Sequence, residues 1–549
     1  MKQGTRGKRG GRSKRKEWVT GNGLMACLIV LLLRIPLGHI IGDKGLGFLA
    51  AGIEVFTAVG ITISYGFSKA VAVMVKYRIK REQFRSARQV YKIGMLLASV
   101  SGAAAAAAIF FGAEWIAGTV IAEHKGYLAI AAAAPAVCFS AVLGVLRGYF
   151  QGMGRMAPIL HSRALEKLMM AAACLIGASM MHRYGLKVAA LLKAEEYAGA
   201  YGAMGAVLGI SAACALAVLH LVLIHMVYGA SFRKQLLQDS TKNQETGGRV
   251  AAILLSTALP YLLCALLYHI NGLADQSIFY HVIHVKNSGG SGAALWGVYY
   301  GKYSVMIGVS ALLCARVCVP GLSGIVQSFE REDGGEVRRR MNRSIHALAV
   351  FSVPAAVLTA VLADPAAGLL FSGDRATAVR MIQAGSGVIV FFSFSYFFMG
   401  ILQRIRKIWL VIPGALAAFL LHLAVLTLLL NYTGLGILAV VAGTLVFWLA
   451  NCIFSWAAVA RITKYRQEWI RTLGITVIAA GVSGAVGMLL SGLLLKAAGN
   501  LVTLLVCLTA CLILYLLVLV MLKGLNKEEL EEMPGGKAVI AIAERLRLM

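Results

Sequence analysis

The chain has 549 residues, of which 59% are hydrophobic and 14% are charged, and its formal net charge is +29. Apolar runs of about 20 residues, the length that crosses a bilayer as a helix, recur along it and exclude an ordinary soluble globular protein. In a soluble protein such a charge would indicate a nucleic-acid partner, but here the Lys and Arg residues are sorted between loops, so no nucleic-acid partner is expected.

Fourteen apolar segments follow one another along the chain. Each is long enough to cross a membrane as an α-helix, and the loops between them are short. The sequence therefore predicts an all-α polytopic membrane protein. The predicted spans cover residues 21–42, 46–75, 93–117, 126–149, 158–181, 197–228, 250–280, 295–327, 344–364, 379–402, 408–431, 434–460, 472–495 and 500–522.

The basic residues are distributed unequally between alternate loops. With the N-terminus inside, forty of the 53 Lys and Arg residues fall in cytoplasmic segments, nine in external segments and four inside spans. Short cytoplasmic loops collect Lys and Arg in membrane proteins. We therefore expect a multi-pass protein of the cytoplasmic membrane with both termini in the cytoplasm.

A repeated turn and a polar segment indicate two comparable halves. GYFQGMGRM at 148–156 is echoed by GILQRIRKI at 400–408, which lies 252 residues and six spans later. Parallel repeats of this kind build many transporters, with the cargo site near the midplane. The predicted domains are a basic cytoplasmic tail (1–20), an N-lobe (21–228), a cytoplasmic linker (229–249), a C-lobe (250–460), a final pair of spans (461–522) and a cytoplasmic tail (523–549).

Four basic side chains, Arg34, Lys69, Lys302 and Arg316, lie inside the predicted spans. Each costs about 2.5 kcal/mol or more to insert, so such residues usually face water-filled cavities. Arg34 and Arg316 lie well inside their spans and are the stronger candidates for binding an anionic headgroup, because a guanidinium binds phosphate in a bidentate manner. Lys69 and Lys302 lie nearer span ends, where snorkelling to the interface is an equal alternative.

Glu54 and Asp275 are the acidic counterparts of these basic residues inside the spans. One interpretation is that each neutralises a basic side chain across a helix interface. The other is that one of them binds a coupling cation or takes part in a gate, with His269, Asn271 and Gln276 as neighbouring polar partners. The sequence leaves both open.

Three tyrosines, Tyr299, Tyr300 and Tyr303, fall in the eighth predicted span. They are predicted either to line the outer mouth of a cavity or to form an interfacial aromatic belt, and the belt is the commoner arrangement.

The sequence contains no hydrolytic, redox or metal-binding motif. It also lacks a Walker motif for ATP. We therefore expect a protein that is not an enzyme, holds no metal and needs no cofactor. Its energy source would be the membrane potential or a gradient of Na⁺ or H⁺.

Several segments resemble the stage V sporulation protein B branch of the polysaccharide-biosynthesis transporters. This branch is related to the MurJ lipid II flippases within the multidrug/oligosaccharidyl-lipid/polysaccharide (MOP) superfamily. The resemblance covers nearly the full length. The segments are RIPLGHIIGDKGLG (34–47), SKAVAVMVKY (68–77), LRGYFQGMGRMAPILHSRALEK (146–167), GILQRIRK (400–407) and LEEMPGGKAVIAIAERLRL (530–548).

The resemblance implies a two-lobed flippase of fourteen helices that works by alternating access. Its cationic central cavity would be built by helices that include the first, second and eighth, which carry Arg34, Lys69 and Arg316 here. The last two helices would form a groove for a lipid tail. Arg34 is followed by Ile35 rather than by the acidic residue common in the lipid II flippases, which points to the sporulation branch.

These observations predict a bacterial flippase for a polyprenyl-pyrophosphate-linked glycan, such as a lipid II-like peptidoglycan or spore-cortex precursor. Its expected partners are this anionic lipid-linked oligosaccharide, membrane lipids and proteins of cell-wall synthesis. One alternative is a drug/cation antiporter of the same superfamily, which should have acidic cavity residues. The other is a non-transporting membrane scaffold, which would need no charges inside its spans.

Overall fold

The computed structural model describes residues 28–237, 239, 245–285, 291–317, 319–405, 407–464, 470–522 and 524. Their regular structure is helical throughout, without a strand among them. The helices that organise this part of the chain are α1 (Arg34–Val55), α2 (Thr62–Lys80), α3 (Phe84–Phe111), α4 (Tyr127–Gly152), α5 (Met156–Leu192), α6 (Glu196–Leu237), α7 (Gly247–Val285), α8 (Gly292–Val298), α9 (Ser304–Val317), α10 (Val319–Glu330), α11 (Gly334–Val361), α12 (Ala363–Leu370), α13 (Arg375–Gly385), α14 (Val388–Arg404), α15 (Val411–Tyr432), α16 (Ile437–Thr463) and α17 (Ile475–Met521).

Twelve helices in the described ranges are long and apolar enough to cross a membrane, and the bent pair α13–α14 makes thirteen. The first of them, Leu28–Lys80, has 53 residues. As one straight helix it would be about 80 Å long, more than twice the thickness of a bilayer core. Gly42 interrupts it with φ 70° and ψ 177°, between the first two predicted spans. The all-α polytopic fold is thus confirmed, and this kink accounts for the fourteenth predicted span.

Several helices begin at side chains that cap free backbone N–H groups. Asp333 accepts a hydrogen bond from the backbone N–H of Glu336 at 3.0 Å, at the start of α11. Asp374 accepts one from Thr377 at 3.0 Å, at the start of α13. Such caps satisfy donors that have no partner inside the helix, and they fix where the helix starts.

The chain divides into two compact units, Met1–Gly301 and Lys302–Met549. In the first unit, one apolar cluster joins α2, α3, α4 and α7 through residues such as Val71, Val90, Val145 and Leu254. In the second, Val350 of α11 packs with Tyr515 of α17, whose hydroxyl donates to the Val350 carbonyl at 2.9 Å.

The boundary between these units differs from the predicted lobe boundary at 229–249. The first unit extends to Gly301 and includes α7 and α8. The physical reason is the packing of α7, because Leu254 and Ala258 are completely buried in the apolar cluster of the first unit. The polar linker is therefore a boundary in sequence but not in packing.

Candidate functional site

In the first unit, α1 and α8 come into direct backbone contact at two glycines. A Cβ atom on Gly47 would collide with the carbonyl group of Ala293, and one on Gly297 would collide with the carbonyl of Asp43. Small residues permit this close approach between membrane helices. The contact brings the segment before the Gly42 kink alongside the residues that follow α8.

Arg34, at the start of α1, is held by Tyr300. Its Nη1 donates to the Tyr300 carbonyl at 3.0 Å, and its guanidinium carbon lies 3.8 Å from the centre of the Tyr300 ring. Tyr300 belongs to a π-helical turn, Tyr299–Tyr303, between α8 and α9. Such turns disturb the regular hydrogen-bond ladder and often occur at functional sites. The side chain of Arg34 is half-buried.

Glu54 approaches the same region from the end of α1, just before the π-helical turn Phe56–Ile61. Its carboxylate lies directly against the backbone of α7, because a Cβ atom on Gly272 would collide with it. Arg34 and Asp275 are both near enough for their charges to act on this carboxylate. Asp275, one turn after Gly272, is 2% exposed. The structure therefore brings Arg34, Glu54 and Asp275 into one electrostatic group.

Two further polar side chains of α7, Asn271 and His269, lie close in sequence to Gly272. Asn271 is buried, and its amide oxygen accepts no hydrogen bond within the described part of the chain. His269 Nδ1 lies 3.1 Å from the hydroxyl of Thr62. An amide oxygen beside carboxylates is a suitable ligand for a hard cation. In the ranges that the structure covers, however, three His, Cys, Asp or Glu side chains never come together as a metal site.

Lys69 lies on α2. Its ammonium group is half-buried and stands 5.3 Å from the centre of the Tyr65 ring, one turn earlier. Tyr65 in turn makes an edge contact with Tyr261 of α7, with ring centres 6.4 Å apart. Lys69 is therefore placed on the seam between α2 and α7.

Lys302 is buried in the second unit at 2% exposure. Its Nζ donates to the backbone carbonyl of Asp374 at 3.2 Å. Although burial has the opposite effect, hydrogen bonds from Thr377 and the charges of Lys302 and Arg380 lower the pKa of Asp374. The hydrogen bond from Lys302 connects the turn before α9 to the start of α13.

Arg316 lies on α9, whose described range is Ser304–Val317. It falls in the predicted span 295–327, and within the described residues it belongs to the apolar helix Gly292–Val317. The side chain is half-buried, and its Nε is buried without a hydrogen-bond partner among the described residues. A buried N–H group without a partner costs free energy, so this guanidinium is suited to an acceptor supplied by a ligand.

The four predicted basic residues thus have different surroundings. Lys302 and Arg316 are 14 residues apart, about 21 Å along a helix, and do not form one cluster.

The prediction of an interfacial aromatic belt is wrong for Tyr300 and Tyr303, which are buried at 4% and 2% exposure. The π-helical turns and the role of the Tyr300 carbonyl were missed, because they depend on backbone geometry that the sequence does not display. The only feature of the sequence that marked this segment as unusual was the concentration of aromatic residues around Lys302.

The sequence of this chain is similar to those of known proteins. The family model described as "Polysaccharide biosynthesis protein" matches residues 18–326. Stage V sporulation protein B of Bacillus subtilis (strain 168) is 21% identical over 524 residues, which cover 93% of this chain and 95% of that protein.

Solved structures show the same fold at low sequence identity. The lipid II flippase MurJ, in an inward closed conformation, is similar with a TM-score of 0.65 and 13% identity, over 91% of this chain and 97% of MurJ. An inward-facing multidrug resistance MATE family transporter of the MOP superfamily gives a TM-score of 0.62 and 14% identity, over 80% of this chain and 96% of that one. The MOP-type transporter fold predicted for the chain is therefore confirmed.

Proposed function

Because this chain belongs to the polysaccharide biosynthesis protein family, we propose that it is a flippase for a polyprenyl-pyrophosphate-linked glycan. The proposed cargo is a lipid II-like peptidoglycan or spore-cortex precursor, moved across the bacterial cytoplasmic membrane by alternating access. Similarity to a sporulation protein along nearly the whole chain, and a fold shared with a lipid II flippase, support this class of cargo. In this proposal both termini are cytoplasmic and the protein changes no covalent bond.

The observation that carries the proposal is the state of the two arginines. Arg316 holds a buried Nε without a partner in the described part of the chain, and Arg34 is fixed by the ring and carbonyl of Tyr300. Arginine stays protonated when partly desolvated, and its planar donors match the oxygens of a phosphate group. We assign a phosphate-binding role to Arg34 within the first unit and to Arg316 within the second, each considered by itself. Lys69 and Lys302 are further candidate contacts in this assignment.

Transport also needs a source of energy. We assign the coupling step to Glu54 and Asp275, with the amide oxygen of Asn271 as a third ligand for Na⁺ or with the carboxylates as carriers of H⁺. The membrane potential can contribute as well, since moving one charge through 100 mV is worth about 2.3 kcal/mol. The proximity of the Arg34 and Asp275 charges to the Glu54 carboxylate supports the assignment, because occupying the acidic group with a cation would change the field at Arg34.

One specific observation favours a second candidate, a drug/cation antiporter of the same superfamily. In the first unit two carboxylates, Glu54 and Asp275, stand beside the single guanidinium of Arg34, so this group is locally acidic. A cationic substrate would suit it, and a multidrug transporter shares the fold. The full-length similarity to a sporulation protein favours the glycan flippase over this alternative.

The deciding experiment is transport in vesicles that contain the purified full chain. Labelled lipid II, another polyprenyl-pyrophosphate glycan and a cationic dye are offered separately, and accessibility in each leaflet is followed with time. The proposal expects movement of a lipid-linked glycan, with loss of activity in Arg316→Gln and normal activity in Arg331→Gln, which changes an exposed arginine. Export of the dye without movement of either glycan would establish the antiporter instead, and no transport of any substrate would favour a scaffold.

A further inference from the structure

Polar side chains follow one another along the second half of α7. Gln276, Tyr280 and His284 are spaced by four residues, so each neighbours the next on the helix surface. Gly272, one step before Gln276, is the point at which the Glu54 carboxylate lies against the helix. The distance from Gly272 to His284 is about 18 Å along the helix axis. The row therefore leads from the Glu54 carboxylate towards the end of α7.

The middle of this row is buried and lacks hydrogen-bond partners. Gln276 and Tyr280 are both 0% exposed. The Gln276 amide is near the Tyr280 hydroxyl, but neither amide atom, nor that hydroxyl, forms a hydrogen bond of normal geometry within the described residues. The indole N–H of Trp296 on α8 is in the same state at 1% exposure, and its ring centre lies 6.1 Å from that of Tyr280. Four buried polar atoms are thus unsatisfied where α7 meets α8, and leaving such atoms without partners is costly.

The far end of the row meets the connection between α3 and α4. The His284 ring stacks on that of Tyr280, with ring centres 6.4 Å apart, and His284 Nε2 lies 2.7 Å from the Ala122 carbonyl oxygen. Glu123, the next residue, is half-buried, and its charge acts on both His284 and the Tyr280 hydroxyl. His284 itself is exposed. The buried polar atoms are therefore next to a polar surface at this end of α7.

We propose that a file of bound water molecules lies between α7 and α8 and joins the Glu54 carboxylate to the surface at Glu123. A buried water molecule typically forms about three hydrogen bonds to polar groups that otherwise have no partner. Gln276, Tyr280 and Trp296 supply such groups at one place. These side chains are neutral and offer both donors and acceptors, which suits water rather than an ion.

The water file gives the solution access to the residues of the coupling step. With both termini in the cytoplasm, the connection between α3 and α4 and the end of α7 face the outside. The outer solution would then reach Glu54 and Asp275 through the file. Polar residues inside membrane helices commonly mark ion pathways of this kind. This consequence rests on the proposed function, whereas the water file itself does not.

Radiolytic hydroxyl labelling of the full chain in detergent, measured by mass spectrometry, tests the file, because bound water generates radicals beside buried side chains. Tyr280 should be labelled at least about fivefold faster than Tyr149, a tyrosine of the same unit that is 1% exposed. Gln276→Leu removes both amide atoms and should lower the labelling rate of Tyr280 to that of Tyr149. Gln383→Leu makes the same change at an exposed site and should leave the labelling of Tyr280 at its native rate.

Tyr280→Phe provides a second readout if thermal unfolding shows that Gln276→Leu does not fold. It keeps the ring, removes the hydroxyl and should lower the labelling rate of Trp296 about threefold. Equal labelling of Tyr280 and Tyr149 in the native chain would overturn the proposal, as would native labelling rates of Tyr280 and Trp296 in the two variants. None of these measurements involves transport, so an absence of glycan movement in vesicles would refute the proposed function alone.

Discussion

Replacing Gly272 by alanine should disturb the Glu54 carboxylate while leaving the fold intact. The added Cβ would lie 2.6 Å from Glu54 Cδ and nearer still to a carboxylate oxygen. An ordinary contact between these atoms is about 3.5 Å, so the carboxylate must move by about 1 Å. It is the end of a flexible side chain and can move at low cost, whereas alanine gains about 1 kcal/mol over glycine in a helix.

We therefore expect the stability of Gly272→Ala to stay within about 1 kcal/mol of native, because the helix gain offsets the local crowding. The rate of transport, however, should fall about tenfold, since a displacement of 1 Å is large for a positioned group. The matched control is Gly248→Ala on the same helix, where a Cβ would meet no atom within 4 Å. Both variants are compared in thermal unfolding and in the vesicle assay. Native transport by Gly272→Ala, at equal incorporation, would refute the role given to Glu54.

Three further changes test other parts of the structure. Glu166→Gln removes the carboxylate that pairs with Arg147, whose side chain is 14% exposed. The free energy of unfolding in detergent should fall by about 3 kcal/mol, and changing both residues to methionine should restore much of it. Asp374→Asn should destabilise the protein at neutral pH. The pKa of Asp374 is lowered in the folded state, so its carboxylate stabilises the fold only while it is ionised, and the difference from native should vanish as the pH falls through that pKa. Melting curves between neutral and acidic pH measure this difference. Tyr300→Phe keeps both the ring and the carbonyl that hold Arg34 and should transport like the native chain, whereas Tyr300→Ala should lose activity in the vesicle assay.

The spans could be predicted from the sequence because a bilayer imposes a length and a composition that hydropathy reports directly. The break at Gly42 was also visible, since it falls between two apolar runs. The limits of the first compact unit could not be predicted. They depend on how Leu254 and Ala258 of α7 pack, and apolar residues on a membrane helix look alike whichever neighbour they contact.

The candidate site was predictable as a set of unusual residues but not as an arrangement. A charge inside an apolar run is conspicuous, so Arg34, Glu54 and Asp275 were identified. Their grouping could not be predicted, because it depends on Gly272. This glycine has no side chain, so the Glu54 carboxylate can lie against α7.

If guanidinium groups inside the spans bind the pyrophosphate of a lipid-linked glycan, transport must depend on Arg34. We would measure the initial rate at which labelled lipid II or a related glycan changes leaflet in vesicles containing Arg34→Gln, Arg34→Lys or the native chain. We predict a loss of at least about tenfold in Arg34→Gln and a partial loss in Arg34→Lys, which keeps the charge but not the planar donors. An unchanged rate in Arg34→Gln, at native incorporation, would contradict it.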